Sequence, residues 1–204
     1  MSEKKQKSKV REYAETLIIA LLIALFARAF VVQAFKIPSE SMKPTLLVGD
    51  HLLVNKFIYG IRIPLIGKKI LQFSEPKRGD VIVFIFPGDR SKDYIKRVIG
   101  LPGETVEIRG QQIYINDRPI KDPWGVYSSW NAQTPQTYGP KVVPPDSLFV
   151  MGDNRDNSLD SRVWGFVPFN DVLGKAFILY WSWNWNDHSI ISKVRWKRIG
   201  RLIR

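Results

Sequence analysis

The sequence predicts a mainly β protein: an N-terminal transmembrane helix, then a β-rich, antiparallel and barrel-like domain carrying a small inserted β lobe. Three observations point there. Residues 17–35 are apolar except for Arg28 and Gln33, and as a helix they would span roughly 28 Å, close to the hydrocarbon thickness of a bilayer. After Pro38 the helical period disappears, and short runs of β-branched and aromatic residues alternate with turn residues. Residues 105–109 read TVEIR, a period-two alternation suited to a half-buried strand.

Taken in order, residues 1–14 form a basic tail with Lys4, Lys5, Lys7, Lys9 and Arg11. The positive-inside rule places that end in the cytoplasm and everything after residue 35 outside. The anchor is expected at 15–35. Ala27-Arg28-Ala29 has the small-x-small form of a leader cleavage site, but the apolar run continues through Phe30 to Phe35, which favours an uncleaved anchor. The outer domain occupies 36–204, with strands expected at 51–56, 81–86, 94–99, 105–109, 113–115, 148–151 and 172–181. Gly110 and the pair Asn116-Asp117 supply turns for a lobe at 104–146, whose stretch 118–146, rich in Pro, Gly, Ser and Gln, reads as a long irregular excursion.

Composition excludes several chemistries. Cysteine is absent and only His51 and His188 are present, which leaves no thiolate site and little room for a histidine-rich metal site. The net charge of +12 suits phosphate binding or an anionic bilayer surface. Six basic residues fall in 193–204, just after Tyr180, Trp181, Trp183 and Trp185, a pairing that suits a lipid headgroup interface or a core strand ending in a solvated tail. The stretch GIRIPLIGKK at 60–69 has the wrong glycine spacing for a phosphate loop. GDNRDNSLDSR at 152–162 places Arg155, Ser158 and Trp164 where a calcium loop starting at Asp153 needs an acid or amide, a glycine and a glutamate.

A serine becomes a nucleophile when a base takes its proton, and lysine serves if burial holds it neutral. Residues 93–100, DYIKRVIG, put Lys96 on one strand face between Tyr94 and Val98. Alone, that lysine reads more readily as an edge-strand charge that blunts aggregation. Ser41 sits between Pro38 and Pro44, alone an ordinary turn setting.

Together, IPSESMKPTL at 37–46, GDHLLVNKFIYG at 49–60, RGDVIVF at 78–84, DYIKRVIGLPGE at 93–104 and GDNRDNSLDSRVWGFVP at 152–168 resemble the bacterial type I signal peptidase family. The likeness runs from the anchor to about residue 180. It implies a Ser-Lys serine endopeptidase on the outer face of the bacterial cytoplasmic membrane, near the translocation machinery. Its partners would be secretory preproteins carrying signal peptides and the phospholipid membrane, with no cofactor, metal or nucleic acid. Ser41 matches the nucleophile and Lys96 its general base. Ser39 matches an oxyanion-hole hydroxyl, Ser158 a hydroxyl that hydrogen-bonds and orients the lysine, and Asp153, Asp160 and Arg162 the charged support around them. Glu40 stands where many members have glycine, and is expected to face solvent. Lys43 is a rival base that no family motif requires. Cleavage would follow small-x-small (Ala-X-Ala) sites, read by shallow pockets lined by Phe35, Ile37, Met42, Leu46, Leu52, Val83, Tyr94 and Ile95. Three other readings are a Ser-Lys self-cleaving repressor of related fold, against which the apolar anchor argues, a basic lipid- or nucleic-acid-binding module, and a catalytically dead relative, against which the complete Ser41, Lys96 and Ser158 set argues.

Overall fold

The five residues of one central strand show how the molecule is layered. In β5 (Val81–Ile85), Val81 and Val83 join one buried cluster while Ile82 and Phe84 join another on the opposite face. A strand apolar at every position is therefore covered on both sides. The computed structural model describes residues 9–26, 31–62, 69–71, 73–127, 137–187 and 189–204. The remaining elements are helix α1 (Lys9–Phe26), β1 (Val32–Lys36), β2 (Asp50–Asn55), β3 (Ile61–Arg62), β4 (Lys69–Leu71), β6 (Asp93–Gly100), β7 (Thr105–Arg109), β8 (Gln112–Ile115), β9 (Arg118–Pro119), β10 (Thr137–Val142), β11 (Ser147–Met151), the single turn α2 (Ser161–Trp164), β12 (Val167–Pro168), β13 (Val172–Ser182) and α3 (Ile190–Lys193).

A seven-stranded antiparallel sheet runs β1-β2-β13-β5-β6-β11-β12. Its order ends at β1 and β12, so the expected barrel-like closure is absent from the pairing of the described residues. Strand β13 is long enough to pair with both β2 and β5, and register shifts along it bend the sheet. Gly174 makes that approach feasible, since a Cβ there would lie 2.5 Å from the Asn55 carbonyl oxygen. A second sheet, β10-β7-β8-β9, lies within 104–146 and packs Val106, Ile108, Ile113 and Ile115 against Ile99, Phe149 and Met151 of the main sheet. Asn116 and Asp117 take φ of 50° and 62° between β8 and β9, as their turn chemistry predicts.

The strands expected from alternation are present to within about a residue at each end. Two expectations are corrected. The stretch 118–146 contains β10, whose Gly139-Pro140 hides the pattern; an edge strand with a register shift at that point tolerates the missing donor. Part of that stretch, 128–136, lies outside the described residues, as do 63–68 of the rejected phosphate-loop motif and His188.

The second correction concerns the anchor. The helix does not run to residue 35: α1 ends at Phe26, and residues 32–36 pair with β2, from Val32 opposite Asn55 to Lys36 opposite His51. Both halves of the run are apolar, so hydropathy alone could not separate them, but Val32-Gln33-Ala34-Phe35 satisfies its backbone on a neighbouring strand. Among the described residues no helix is long and apolar enough to cross a membrane. Helix α1 nevertheless exposes Leu17, Ile18, Ile19, Leu21, Leu22, Ile23 and Leu25, each more than half accessible.

The C-terminal residues are not a free tail. Ile178 bridges to Leu202 and Trp183 to Val194, folding the chain back along β13. Asp50 is the hub of this closure, fully buried. It accepts hydrogen bonds from Ser182 Oγ at 2.6 Å, the Leu47 amide at 2.8 Å and Arg198 Nη2 at 2.5 Å. Removing one partner of a buried pair strands the other charge. Asp50→Ala is therefore expected to destabilise the fold by about 3–5 kcal/mol in denaturant titration of the detergent-solubilised chain; a change below about 1 kcal/mol would show that the hub contributes little.

Candidate active site

The segment between β1 and β2 is pinned before it does any chemistry. Ile37, Met42 and Leu46 plunge into the core beside Leu52 and Val83, and backbone bonds join Ile37 to Asp50 and Gly49 to Ile37. The Asn154 amide donates to the Ser41 carbonyl at 3.0 Å, tying this loop to the turn at 152–158. Gly152 permits that contact, because a Cβ there would collide with the Ser41 carbonyl and the Ser158 hydroxyl.

Lys96 approaches from β6. Ile82 lies directly opposite it on β5, and its Nζ sits 5.8 Å from the Tyr94 ring centroid, so the side chain runs along an apolar wall. The residue is only 5% exposed, and its Nζ donates to Ser41 Oγ at 2.5 Å. Burial pushes the lysine pKa down to about 8; Asp160 and Asp153 pull it up, and Arg162 adds a smaller push down. Ser39 Oγ lies 3.4 Å from Ser41 Oγ. Ser39, Ser41, Tyr94, Ile95, Lys96 and Leu159 are among the residues lining a cleft of about 360 Å³.

Buried ion pairs surround this pair. Arg97 binds Asp153 in a bidentate fork at 2.8 and 2.6 Å, and Thr45 Oγ1 adds a bond to the same carboxylate at 2.5 Å. Arg162 grips Asp160 through two bonds of 2.8 Å, while Asp160 also accepts from the Gly152 amide at 3.0 Å. Arg155 reaches Asp122 at 2.7 Å and the Gly152 carbonyl at 2.7 Å. Arg97, Arg155 and Asp122 went unmarked in the sequence. The signal for Arg97 was available, since an arginine alternating with Lys96 must emerge on the opposite face, where only a buried carboxylate would receive it.

Not every expected contact forms. The Ser158 hydroxyl is buried without a hydrogen-bond partner, so the expected bond to Lys96 is absent from this conformation. Of the eight residues expected to line pockets, Tyr94 and Ile95 border the cleft. Ile37, Met42, Leu46, Leu52 and Val83 are buried in the core, with Phe35 packed against them, because the large apolar side chains of this face fill one another's space. They form a floor beneath the site rather than open pockets. Glu40 is exposed as expected, and holds Lys43 Nζ at 2.6 Å in a surface ion pair. His51 packs edge-on against Tyr180, away from the cleft lining. Among the described residues no group of three His, Asp or Glu side chains is placed to hold a metal ion.

A family model described as signal peptidase, peptidase S26, matches residues 10–181. A signal peptidase I from Pseudomonas fluorescens is 39% identical over 206 residues, covering 84% of this chain and 72% of that protein. One from Leptolyngbya laminosa is 40% identical over 193 residues, covering 90% of this chain and 85% of that protein. Among solved structures, a signal peptidase I from Enterococcus faecalis V583 shares 35% identity, covers 51% of this chain and 98% of its own, and has a TM-score of 0.43.

The buried lysine has a thermodynamic signature. Unfolded, Lys96 keeps its proton to about pH 10.5; folded, only to about 8. Between those values the unfolded chain binds more protons, so this group makes stability rise with pH across the window, and below pH 8 its burial cost is fully present. Lys96→Met is accordingly expected to be more stable than the parent at pH 7, by about 3 kcal/mol, with the gap closing towards pH 10.5. A parent–variant gap that is the same at pH 7 and pH 10 would show that Lys96 is not desolvated in solution.

Proposed function

The chain belongs to the signal peptidase family, peptidase S26, serine endopeptidases that remove signal peptides, and on that premise we propose that Ser41 and Lys96 form its nucleophile and general base. The observation that carries this reading is the contact between Lys96 Nζ and Ser41 Oγ inside an apolar wall. A lysine held near pKa 8 offers a lone pair at mildly alkaline pH that a surface lysine does not. Neutral Lys96 takes the Ser41 proton as Oγ attacks the scissile carbonyl carbon. The resulting ammonium then returns the proton to the leaving amine as the carbon–nitrogen bond breaks. Water, deprotonated by the same lysine, hydrolyses the acyl-enzyme and frees Ser41.

The oxyanion of the tetrahedral intermediate is assigned to the Ser41 amide and the Ser39 hydroxyl, which lies beside the nucleophile. The ion pairs Arg97–Asp153 and Asp160–Arg162 are assigned a positioning role, since they fix β6 and the 152–162 turn against the loop bearing Ser41. Ser158, with an uncommitted hydroxyl beside Gly152, is assigned to orient Lys96 once substrate expels water. An extended substrate sends alternate side chains to the same side, and a shallow cleft over a filled apolar floor favours small residues at P1 and P3. That supports cleavage after small-x-small sites such as Ala-X-Ala.

The exposed apolar surface of α1 and the basic residues before it support a membrane location, with the N-terminus cytoplasmic and the β domain on the outer face. There the enzyme would meet preproteins beside the translocation machinery.

The test is cleavage of an Ala-X-Ala preprotein by detergent-solubilised protein from pH 6 to 10. Wild-type kcat/KM is expected to rise with pH through about 8, following the neutral form of Lys96. Ser41→Ala, Lys96→Ala and Lys96→Arg should each lose at least about 10⁴-fold, since a guanidinium does not deprotonate at these pH values. Substantial activity in Lys96→Ala would rule out the assigned base.

A further inference from the structure

The cleft carries a charge pattern opposite to that of the whole protein. Two carboxylates line it, Glu40 immediately before Ser41 and Asp93 at the start of β6, in a chain of net charge +12. The cations nearest in sequence to these two, Lys43 and Lys92, do not line the cleft, and Lys92 pairs with Asp89 at 2.8 Å. Lys43 binds Glu40 from outside at 2.6 Å, with side-chain accessibilities of 41% and 52%. An exposed pair of this kind is worth little, so a competing cation displaces it readily. Asp93 has no ion-pair or hydrogen-bond partner for its carboxylate among the described residues, and partial burial raises its pKa. Lys96, the basic side chain on the lining, faces Ser41 and is neutral in its proposed working form.

Resting on the reading of Ser41 and Lys96 as the catalytic pair, we infer that Glu40 and Asp93 make this enzyme select by charge, favouring basic and disfavouring acidic substrate residues next to the scissile bond. Distance decides which charges matter. The positive field of the whole protein is screened beyond about 8 Å at physiological salt, whereas a substrate side chain seated in the cleft shares its lining with both carboxylates. In an extended peptide the middle residue of a small-x-small site points away from the apolar floor and toward the rim, so it is the position most exposed to this field. The apolar floor selects side-chain size and is indifferent to charge; the rim adds the charge preference.

The experiment uses the detergent-solubilised full chain and three peptides identical except for Lys, Gln or Glu at the middle position of an Ala-X-Ala site. At low salt kcat/KM should fall in the order Lys, Gln, Glu, with about a 5- to 10-fold spread. The spread should shrink in 1 M NaCl and collapse towards unity in the E40Q/D93N double variant. The ratio between peptides is the readout, so a general change in activity of the variant does not enter. Equal rates on the three peptides in the wild type, or an order that persists in the double variant, would overturn the inference while leaving the catalytic assignment intact. Cleavage of no peptide and no preprotein would instead overturn the catalytic assignment, and this inference with it.

Discussion

Lys96 loses nearly all its contact with water, and an ammonium so placed costs several kcal/mol unless an anion compensates it. Two carboxylates, Asp153 and Asp160, are close enough to raise its pKa. If either bound the lysine directly, the group would stay charged and useless as a base near neutral pH. Instead each carboxylate is held by an arginine through a two-bond fork, Asp153 by Arg97 and Asp160 by Arg162. Because a guanidinium does not titrate in this range, these pairs remain formed wherever the lysine titrates. The arginines thus keep the anions occupied, and burial wins over attraction. This gives the charged cluster around an apolar pocket a physical purpose that stability alone does not, since a buried ion pair is often no better for stability than packed apolar residues.

The same cluster joins pieces of chain far apart in sequence. Arg97 lies on β6, Asp153 in the turn after β11, and Thr45, which also binds Asp153, in the segment carrying Ser41. Asp122 and Arg155 attach the 122–127 segment to that turn, and Val126 completes the join through backbone bonds with Asp153 and Arg155. On the other side, Asp50 fastens the end of the Ser41 segment to β13 through Ser182 and to the C-terminal residues through Arg198. The Ser41 segment is therefore held on its C-terminal side by two buried carboxylates, through Thr45 and the Leu47 amide, and beside the nucleophile by the buried Met42. A serine and a lysine meeting at hydrogen-bond distance need such bracing, because neither side chain gains much from the contact alone.

Alternation made several strands legible, since inward and outward positions in β7 and β8 differ in chemistry, while β5 showed itself as an unbroken apolar run. The motif resemblance singled out Ser41 and Lys96, and the fold brings them together across 55 positions. Composition alone would have left Lys96 a surface charge. What stayed hidden was of two kinds. Gly139-Pro140 disguised β10, because an edge strand tolerates residues that a central strand cannot. Pairings such as Asp50 with Arg198 or Arg155 with Asp122 depend on tertiary placement, and a charged residue's sequence neighbours do not reveal whether its partner will be buried. The depth of the pocket residues was not legible for a related reason: apolarity near the site is compatible with either a wall or a floor, and only packing distinguishes them.

The division of the apolar run at 17–35 bears on how the site would be held near lipid. A single helix would have delivered the chain to Phe35 still inside the bilayer, leaving Ser41 on a six-residue tether. With β1 paired to β2 along its length, residues 32–36 already belong to the domain, and Phe35 packs against the core cluster. A five-residue strand spans about 17 Å and bends far less than a coil of the same length. The connection between the exposed apolar helix and the nucleophile loop is thus stiff over most of its described length. Any orientation that lipid imposes on the domain near β1 is passed directly to the cleft, since β1 forms the sheet edge and runs straight into Ser39 and Ser41. The apolar character of Phe35 follows from that position: a side chain that reads as membrane-compatible in sequence is one this edge strand lays on the core.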